Sequence, residues 1–211
     1  MIHRYIPAHH VLGFLQHGHR FSRCDSFVYL LEFRLGYCCF KGCDSWSELR
    51  RCVENTFKHE VVNRTIEGAS ISCWTECSTS EAWPWAIYGK GDGAIRISVE
   101  LQNFMSYVRS FGIPGVAGSV TYYFRPSNVR PQFLEPFNNP TGQDRDEHHL
   151  FFHKHGFYDY EREFRVVLFE QGPLTKNFPD ELINSISVSP FGPPNDELRS
   201  ALEARFGAKM R

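Results

Sequence analysis

The amino-acid sequence predicts an α+β protein: one mixed domain in which a split or curved, mainly antiparallel sheet is flanked by helices. Short β-branched runs that end at turn residues, such as 94–99 and 183–188, alternate with segments that carry a helical stripe of apolar residues. The chain has 211 residues, of which 42% are hydrophobic, and this is the size of one domain with a sizeable core. We therefore predict a single domain over residues 1–211, with about five to seven strands and three or four helices.

Each element has its own local signal. Ile2–Ile6 predicts a strand that ends at Pro7, and the apolar stripe after it predicts a helix that Gly18 stops. The clearest helix begins at a serine cap, which is either Ser45 or Ser47, and Glu48 lies three residues beyond Ser45, where it would complete a capping box. The remaining predictions, in chain order, are a buried segment at 27–31, that helix over 45–63, a strand at 70–74, a helical turn around Pro84, a strand at 94–99, a helix at 101–111, a strand at 118–124, a mobile loop at about 125–145, a helical or irregular segment at 146–155, strands at 166–169 and 183–188, and a C-terminal helix at about 195–206 that Asn195 caps.

Composition and charge narrow the function classes. The formal net charge is −1, so no overall field directs the chain toward nucleic acid or a membrane surface, although a local basic patch stays open. No run of about 18 apolar residues could span a bilayer, and the N-terminal residues lack the apolar core of a signal peptide. We therefore expect a cytoplasmic protein with no membrane partner and with its seven cysteines reduced.

Two cysteine pairs raise the question of zinc. Cys39 and Cys43 are separated by three residues, as are Cys73 and Cys77, whereas structural zinc sites favour tighter pairs. We therefore predict that these thiols are buried or incidental and that the protein binds no metal.

The stretch Phe157–Phe169 concentrates charge at the start of an apolar strand. If the chain is extended here, Glu161, Glu163 and Arg165 share one face. One interpretation is an internal ion-pair network in which Arg165 bridges both glutamates, because burying such groups is costly unless they are paired. The other is a catalytic Glu-x-Glu pair, in which one glutamate positions a substrate and the other acts on it.

Residues 70–99 form a second informative region. A strand is followed by an aromatic turn with Trp83, Trp85 and Tyr88, then by glycines at 89, 91 and 93, and then by another strand. This order is typical of one half of a binding cleft. A β-hairpin with a long, decorated loop fits the same pattern.

Several short motifs occur in a characteristic order along nearly the whole chain. They are Ile2-His3-Arg4-Tyr5, Phe27 to Glu32, Ser72-Cys73-Trp74-Thr75, Trp85 to Gly93, Tyr160 to Arg165, and Ile186 to Pro190. In this order the chain resembles a bacterial and phage family defined as a domain of unknown function. It departs from the family pattern at Arg4, where the family often has histidine or lysine, and at Tyr29, where the family has aspartate.

The same motifs are also similar to the ADP-ribosyltransferase signature. There, a basic residue on the first strand, a Ser-x-Ser/Thr strand and a late Glu-x-Glu meet in one NAD cleft. The resemblance implies an ADP-ribosyltransferase-like fold and NAD as a consumed substrate. It also implies a macromolecular acceptor, either protein or nucleic acid, and the role of a toxin or phage-defence effector. The residues it designates are Glu163, Glu161 and Arg4 for catalysis, and Arg4, Tyr5, Ser72, Trp74, Thr75, Trp85 and Tyr88 for binding. Arg4, Ser72 and Glu163 are then expected to converge on one cleft.

Two other function classes stay open. A non-catalytic module could bind a nucleotide, a nucleic-acid base or a peptide, and the arginines at 4, 125, 130 and 165 beside aromatic residues suit single-stranded nucleic acid. A nuclease or metal hydrolase would use Glu161 and Glu163 with His153 or His155, but the sequence offers no clean metal triad.

Overall fold

The structure is a computed structural model, and it describes residues 1–26, 33–34, 38, 43, 45–77, 82–88, 93–123, 134–138, 148–192 and 195–211. It is a mixed α+β fold with mainly antiparallel strand pairing, as the sequence predicted. The chain divides into two compact units, and the prediction of one domain over 1–211 stays a prediction. The first unit comprises Met1–Arg20, Trp74–Ser110 and Thr175–Arg211, and the second comprises Phe21–Cys73 and Phe111–Leu174.

The elements of the described residues are as follows. The α-helices are α1 (Ala8–His17), α2 (Trp46–Thr56), α3 (Glu60–Glu67), α4 (Trp83–Tyr88), α5 (Leu101–Arg109) and α6 (Asp196–Phe206). The strands are β1 (Ile2–Pro7), β2 (His19–Arg23), β3 (Ser70–Thr75), β4 (Ala94–Val99), β5 (Gly115–Ser119), β6 (Thr121–Tyr123), β7 (Glu135–Phe137), β8 (His153–His155), β9 (Glu163–Leu168), β10 (Leu174–Lys176) and β11 (Ile183–Val188). Across these described ranges, no helix has both the length and the apolar character that a bilayer crossing requires.

The first unit is built around three antiparallel strands. β1 pairs with β4 along its whole length, from Ile2 opposite Val99 to Pro7 opposite Ala94. β11 pairs with the other edge of β4, with an irregularity between Ile183 and Ser185. Since directly paired residues share a face, one face of these strands is mainly apolar. Its buried apolar members include Ile2, Ile6, Ile95, Ile97, Val99, Ile183 and Ile186.

The second unit has its own apolar core. β9 pairs antiparallel with β5, β5 pairs antiparallel with β7, and the short strands β6 and β8 pair in parallel. All six residues of β9 are buried, which fits the continuous apolar run that predicted a core strand. The helices α2 and α3 contribute apolar side chains to the same core. Its members include Leu49, Val53, Val62, Ile66, Ile71, Val116, Phe151, Phe152 and Val167.

Local signals set several of the helix ends. The Ser45 side chain accepts the Glu48 N–H and begins α2, and Asn195 accepts the Leu198 N–H and begins α6. Gly18 ends α1 with φ +87°, a conformation that favours glycine. These three predictions are confirmed.

The single helix predicted over 45–63 is wrong. Two helices replace it, because α2 ends at Thr56 and α3 begins at Glu60 after a short turn. His59 provides a new start, since its Nδ1 accepts the Val62 N–H. A histidine cap is a weaker sequence signal than serine or asparagine, and the apolar stripe continues across the turn.

The region between 115 and 155 also differs from its prediction. The strand expected at 118–124 is two strands, β5 and β6, and the expected loop at 125–145 contains strand β7. β7 is held by pairing with β5 from Gly115 to Ala117, a non-local contact that a Pro- and Asn-rich sequence does not signal. The rest of that loop lies outside the described residues, as do the segment 27–31 and the glycines at 89 and 91.

Candidate functional site

The charged stretch Phe157–Phe169 begins as a turn and not as a strand. Residues Gly156–Glu161 form a 3-10 helix, and the His155 side chain accepts the Phe157 N–H at its start. Arg162 then adopts a left-handed conformation with φ +42°, and β9 begins only at Glu163. The expectation that Glu161 lies on an extended strand is therefore wrong. Alternation of side chains begins at Glu163.

The two glutamates nevertheless meet, because one lysine contacts both. Lys154 Nζ donates to Glu161 Oε2 at 2.6 Å and to Glu163 Oε1 at 3.2 Å. Arg165 Nε donates to Glu163 Oε2 at 2.5 Å, and its Nη1 donates to the Phe151 carbonyl at 2.5 Å. All four charged side chains are buried, with residue exposures between 2% and 9%. We call Lys154, Glu161, Glu163 and Arg165 the charge cluster.

The charge cluster is an internal ion-pair network, as one of the two interpretations of the sequence expected. The residue that bridges both glutamates is Lys154 and not Arg165, which was expected to do so. Sequence reasoning missed Lys154, which lies in the three-residue strand β8. Its approach to Glu163 depends on the pairing of β8 with β6, from Thr121 opposite His153 to Tyr123 opposite His155. A cation in an His-Lys-His run beside a Glu-x-Glu motif is the only signal for it in the sequence.

The environment moves the pKa values of the two carboxyls in opposite directions. Burial, reinforced by the hydrogen bond with Glu163 and its charge, raises the pKa of Glu161 to about 7. Burial also acts to raise the pKa of Glu163, but the charges of Arg165 and Lys154 outweigh it and hold that pKa well below its usual range. Near neutral pH, Glu163 is thus ionised, while Glu161 is the carboxyl that gains or loses the proton.

Backbone contacts fix the position of Glu163. Its N–H donates to the Tyr122 hydroxyl at 2.8 Å, and its carbonyl accepts the Val120 N–H at 2.7 Å. Burial raises the pKa of Tyr122, so this phenol stays protonated. The carboxylate therefore lies on a rigid strand end.

Exposed aromatic side chains surround the turn that carries Glu161. Phe157 is 76% exposed, and Tyr158 and Tyr160 are each more than a third exposed. The Tyr158 ring lies over Lys154, with Nζ 4.6 Å from the ring centroid. The buried charge cluster thus lies next to a turn whose aromatic side chains are exposed, and exposed aromatic rings are able to stack on a planar group.

In the first unit, Arg4 is packed against aromatic side chains. Its Nη1 lies 3.1 Å from both ring nitrogens of His19, and its Cζ lies 6.0 Å from the Trp74 ring centroid. His19 is buried, and its ring stacks on Trp74 with centroids 5.6 Å apart. Burial, with the charge of Arg4, holds the pKa of His19 well below its usual range. The structure thus brings together two of the predicted binding residues, Arg4 and Trp74.

A second group of predicted binding residues clusters around Tyr5. The Trp85 ring meets Tyr5 edge-on at 4.9 Å, and the Tyr88 ring stacks on Tyr5 at 5.8 Å with an interplanar angle of 17°. The predicted aromatic turn is confirmed as the helix α4 that carries Trp85 and Tyr88. Thr75 pairs with His3, two residues before Tyr5 on β1.

The expected convergence of Arg4, Ser72 and Glu163 stays a prediction. Arg4 belongs to the first unit, whereas Ser72 and Glu163 belong to the second. Ser72 is buried on β3.

The described residues contain no group of three or more His, Cys, Asp or Glu side chains that could hold a metal ion. His153 instead approaches the His149 carbonyl through Nδ1 at 2.7 Å, and the His155 ring packs on Phe157. Cys39, one of the four cysteines considered for zinc, lies outside the described part of the chain.

No protein-family model, no curated protein and no solved structure matches this chain.

Proposed function

We propose that this protein cleaves the nicotinamide–ribose bond of NAD, as an ADP-ribosyltransferase or NAD glycohydrolase, with Glu161 and Glu163 as the reacting carboxyls. One observation carries the proposal: two adjacent carboxyls share Lys154, yet their pKa values are moved in opposite directions. Pairs of carboxyls separated in this way divide the roles of proton transfer and charge stabilisation between them. The choice of NAD rests on the resemblance described above.

Glu163 has the properties needed to stabilise the transition state. When the bond between ribose C1′ and the nicotinamide nitrogen breaks, the electron pair leaves with nicotinamide and positive charge develops on the ribose. A carboxylate that stays ionised and cannot move is suited to stabilise that charge. Arg165 and Lys154 keep Glu163 ionised, and its strand position keeps it fixed.

Glu161 has the properties of a general base toward the acceptor. The acceptor oxygen, from water or a macromolecule, forms the new bond to C1′ and must lose its proton. A carboxyl with a pKa of about 7 can take that proton at neutral pH. Glu161 is 8% exposed at the end of the turn that presents Phe157, Tyr158 and Tyr160 to solvent, and we propose that the acceptor approaches from that side.

The test is release of nicotinamide when the purified protein is incubated with NAD. We expect release by the wild type and a loss of about 10²–10³ in rate for Glu163→Gln, as is usual when one stabilising group is removed. Glu203→Gln is the matched control, because Glu203 is exposed on α6, where it forms a surface ion pair with Arg199. Thermal midpoints measured alongside ensure that rates are compared for folded protein. A wild type that releases no nicotinamide contradicts the proposal.

A second candidate function is a non-catalytic binding module. Both oxygens of Glu163 are engaged by cations, Oε1 by Lys154 and Oε2 by Arg165, as in a purely structural network. In that case the charge cluster only supports the turn that exposes Phe157, Tyr158 and Tyr160, and this aromatic surface binds a nucleotide base or a peptide. A wild type that binds a nucleotide or peptide but releases no nicotinamide from NAD, together with a Glu163→Gln variant that melts well below it, would favour this candidate.

A further inference from the structure

A cavity of about 280 Å³ lies along one face of α2 in the second unit. Its lining residues are Glu48, Arg51, Cys52, Asn55, Thr56 and His59. The α2 positions among them are three or four residues apart, which places them on the same face of the helix. Glu48, Arg51, Asn55 and His59 are exposed, Cys52 is partly buried and Thr56 is buried. The cavity is therefore open to solvent and has Cys52 and Thr56 as its floor.

Hydrogen bonds hold the turn between α2 and α3 that forms one end of this cavity. Arg34 is buried, and it donates from Nη1 to the Thr56 carbonyl at 2.7 Å and from Nη2 to Asn63 Oδ1 at 2.8 Å. The Asn63 side chain donates in turn to the Phe57 carbonyl at 3.2 Å, and the Thr56 hydroxyl donates to the Val53 carbonyl at 2.7 Å. A cavity whose wall is already ordered costs a ligand little conformational entropy on binding.

Arg51 provides a positive charge at the edge of the cavity. Its neighbour Arg50 forms an ion pair with Glu54, four residues later on α2. The residue four positions after Arg51 is the neutral Asn55. Arg51 itself forms no hydrogen bond or ion pair with any residue in the part of the chain that the structure describes. Its planar fork of donors is therefore available to an acceptor from outside the protein, and this fork matches the two oxygens of a carboxylate.

The other lining residues restrict the kind of anion that fits. Asn55 adds a neutral amide, and His59 accepts the Val62 N–H through Nδ1, so its neutral ring carries a donor at Nε2. Glu48 is the one carboxylate among the lining residues, and it disfavours a second negative charge on a ligand. The floor is less polar, because Cys52 packs against the apolar core of the second unit. These features suit one negative charge attached to an apolar body.

We propose that this cavity is a binding site for a small organic monocarboxylate, in which Arg51 binds the carboxylate and the apolar body of the ligand lies on Cys52 and Thr56. A water molecule takes about 30 Å³ of the liquid, so the cavity has room for about nine to twelve non-hydrogen atoms. Benzoate is a molecule of this size. The site shares no residue with the charge cluster, and it requires binding only, whether or not the protein cleaves NAD.

The test is an NMR titration of the nitrogen-15-labelled protein with benzoate, benzamide and inorganic phosphate, in which the amide signals of residues 48–59 are followed. Benzoate should shift these signals to saturation, with a Kd of about 1 mM or tighter for a ligand of this size. Benzamide has the same ring without the charge and should bind about tenfold more weakly. Phosphate should also bind more weakly than benzoate, because it has no apolar body and carries more negative charge next to Glu48.

Two variants with one control locate the site. Arg51→Gln should weaken benzoate about tenfold while leaving benzamide unchanged. Arg50→Gln is the matched control, since Arg50 is the adjacent exposed arginine of α2 and does not line the cavity, and it should bind benzoate like the wild type. Cys52→Leu enlarges the side chain at the floor and should weaken benzoate and benzamide alike. Arg51 is exposed, so the comparison with Arg51→Gln decides the outcome even if Cys52→Leu does not fold.

Three results would overturn the proposal. The first is a wild type whose signals from residues 48–59 do not shift to saturation with benzoate. The second is an Arg51→Gln variant that binds benzoate as tightly as the wild type. The third is a wild type that binds benzamide or phosphate at least as tightly as benzoate. Nicotinamide release from NAD is measured separately, so failure of this site and failure of NAD cleavage are distinguishable.

Discussion

Lys154 lies between two carboxylates, and its removal would leave both of them buried with less positive charge beside them. Its side chain is itself only 10% exposed, so water does not replace the lost ion pairs. Breaking a buried ion pair from one side leaves the partner uncompensated, which costs about 3–5 kcal/mol. We therefore predict that Lys154→Met lowers the free energy of unfolding by about 3 kcal/mol or more, measured by urea denaturation at neutral pH.

The control for this change is Lys58→Met in the same unit. Lys58 is exposed in the turn after α2, and a surface substitution of this kind usually changes stability by less than about 0.5 kcal/mol. If Lys154→Met and Lys58→Met lower the free energy of unfolding by the same amount, the ion pairs of Lys154 in the charge cluster do not stabilise the fold.

Glu161 gives the stability of the protein a characteristic pH dependence. Its pKa is raised in the folded state to about 7, so the folded protein holds the proton more tightly than the unfolded chain. The protonated Glu161 side chain therefore makes its whole contribution to the free energy of unfolding below the pKa of the unfolded chain. That contribution is lost as the pH rises through the folded pKa of about 7. Glu163 acts in the opposite sense, because its pKa is lowered and its contribution is lost only in strong acid.

We predict that Glu161→Gln removes this loss of stability between about pH 5 and pH 8. Between these pH values, the free energy of unfolding of the wild type should fall by up to about 2 kcal/mol more than that of the variant. This value allows for partial screening of the charge by solvent. Urea denaturation of both proteins at the two pH values measures the difference. Parallel pH profiles for wild type and variant would show that Glu161 does not titrate in this range.

At the scale of elements, local chemistry explains what could be predicted and non-local pairing explains what could not. The caps at Ser45 and Asn195 and the stop at Gly18 each depend on residues within one turn of the chain. Lys154 and strand β7, by contrast, are placed by strands far away in sequence. The sequence therefore identified the carboxyls of the charge cluster and missed its bridging cation.

The helix α1 offers a matched pair of glycine substitutions. Gly18 has φ +87°, and a Cβ there would overlap the backbone of Lys176 and approach Asn177 and Phe178 at 2.9 Å. Gly13 lies inside α1, whereas Gly18 directly follows it, and nothing lies within 4 Å of the position that a Gly13 Cβ would take. We predict that Gly18→Ala destabilises by about 2 kcal/mol or more, whereas Gly13→Ala stabilises by about 0.5–1 kcal/mol.

Thermal or urea unfolding of the two variants measures this difference. A Gly18→Ala protein as stable as the wild type would show that the end of α1 can rearrange without contact with Lys176–Phe178.

At the scale of the whole molecule, the class of the fold follows from alternating strand and helix signals, and the division into two units does not. Strand β3 passes from the second unit into the first between Cys73 and Trp74. The alternation of polar and apolar residues from Ser70 to Cys73 is interrupted at Trp74, but one residue out of phase does not predict a boundary between units. The predicted binding residues on it, Ser72, Trp74 and Thr75, consequently fall in two units.

The whole-molecule activity should report the ionisation of Glu161. If Glu161 takes the proton of the acceptor, nicotinamide release requires its carboxylate form, which is lost as the pH falls below about 7. We predict that the rate per folded molecule rises between about pH 5.5 and pH 8 and then levels off, whereas Glu161→Gln gives a lower rate without this rise. Glu203→Gln, exposed on α6, should keep the wild-type profile. Measuring nicotinamide release across this range, with folding checked at each pH, tests the assignment. If Glu161→Gln retains the full rise in rate with pH, another group accepts the proton. If the rate of the wild type does not change with pH, Glu161 does not act as the general base.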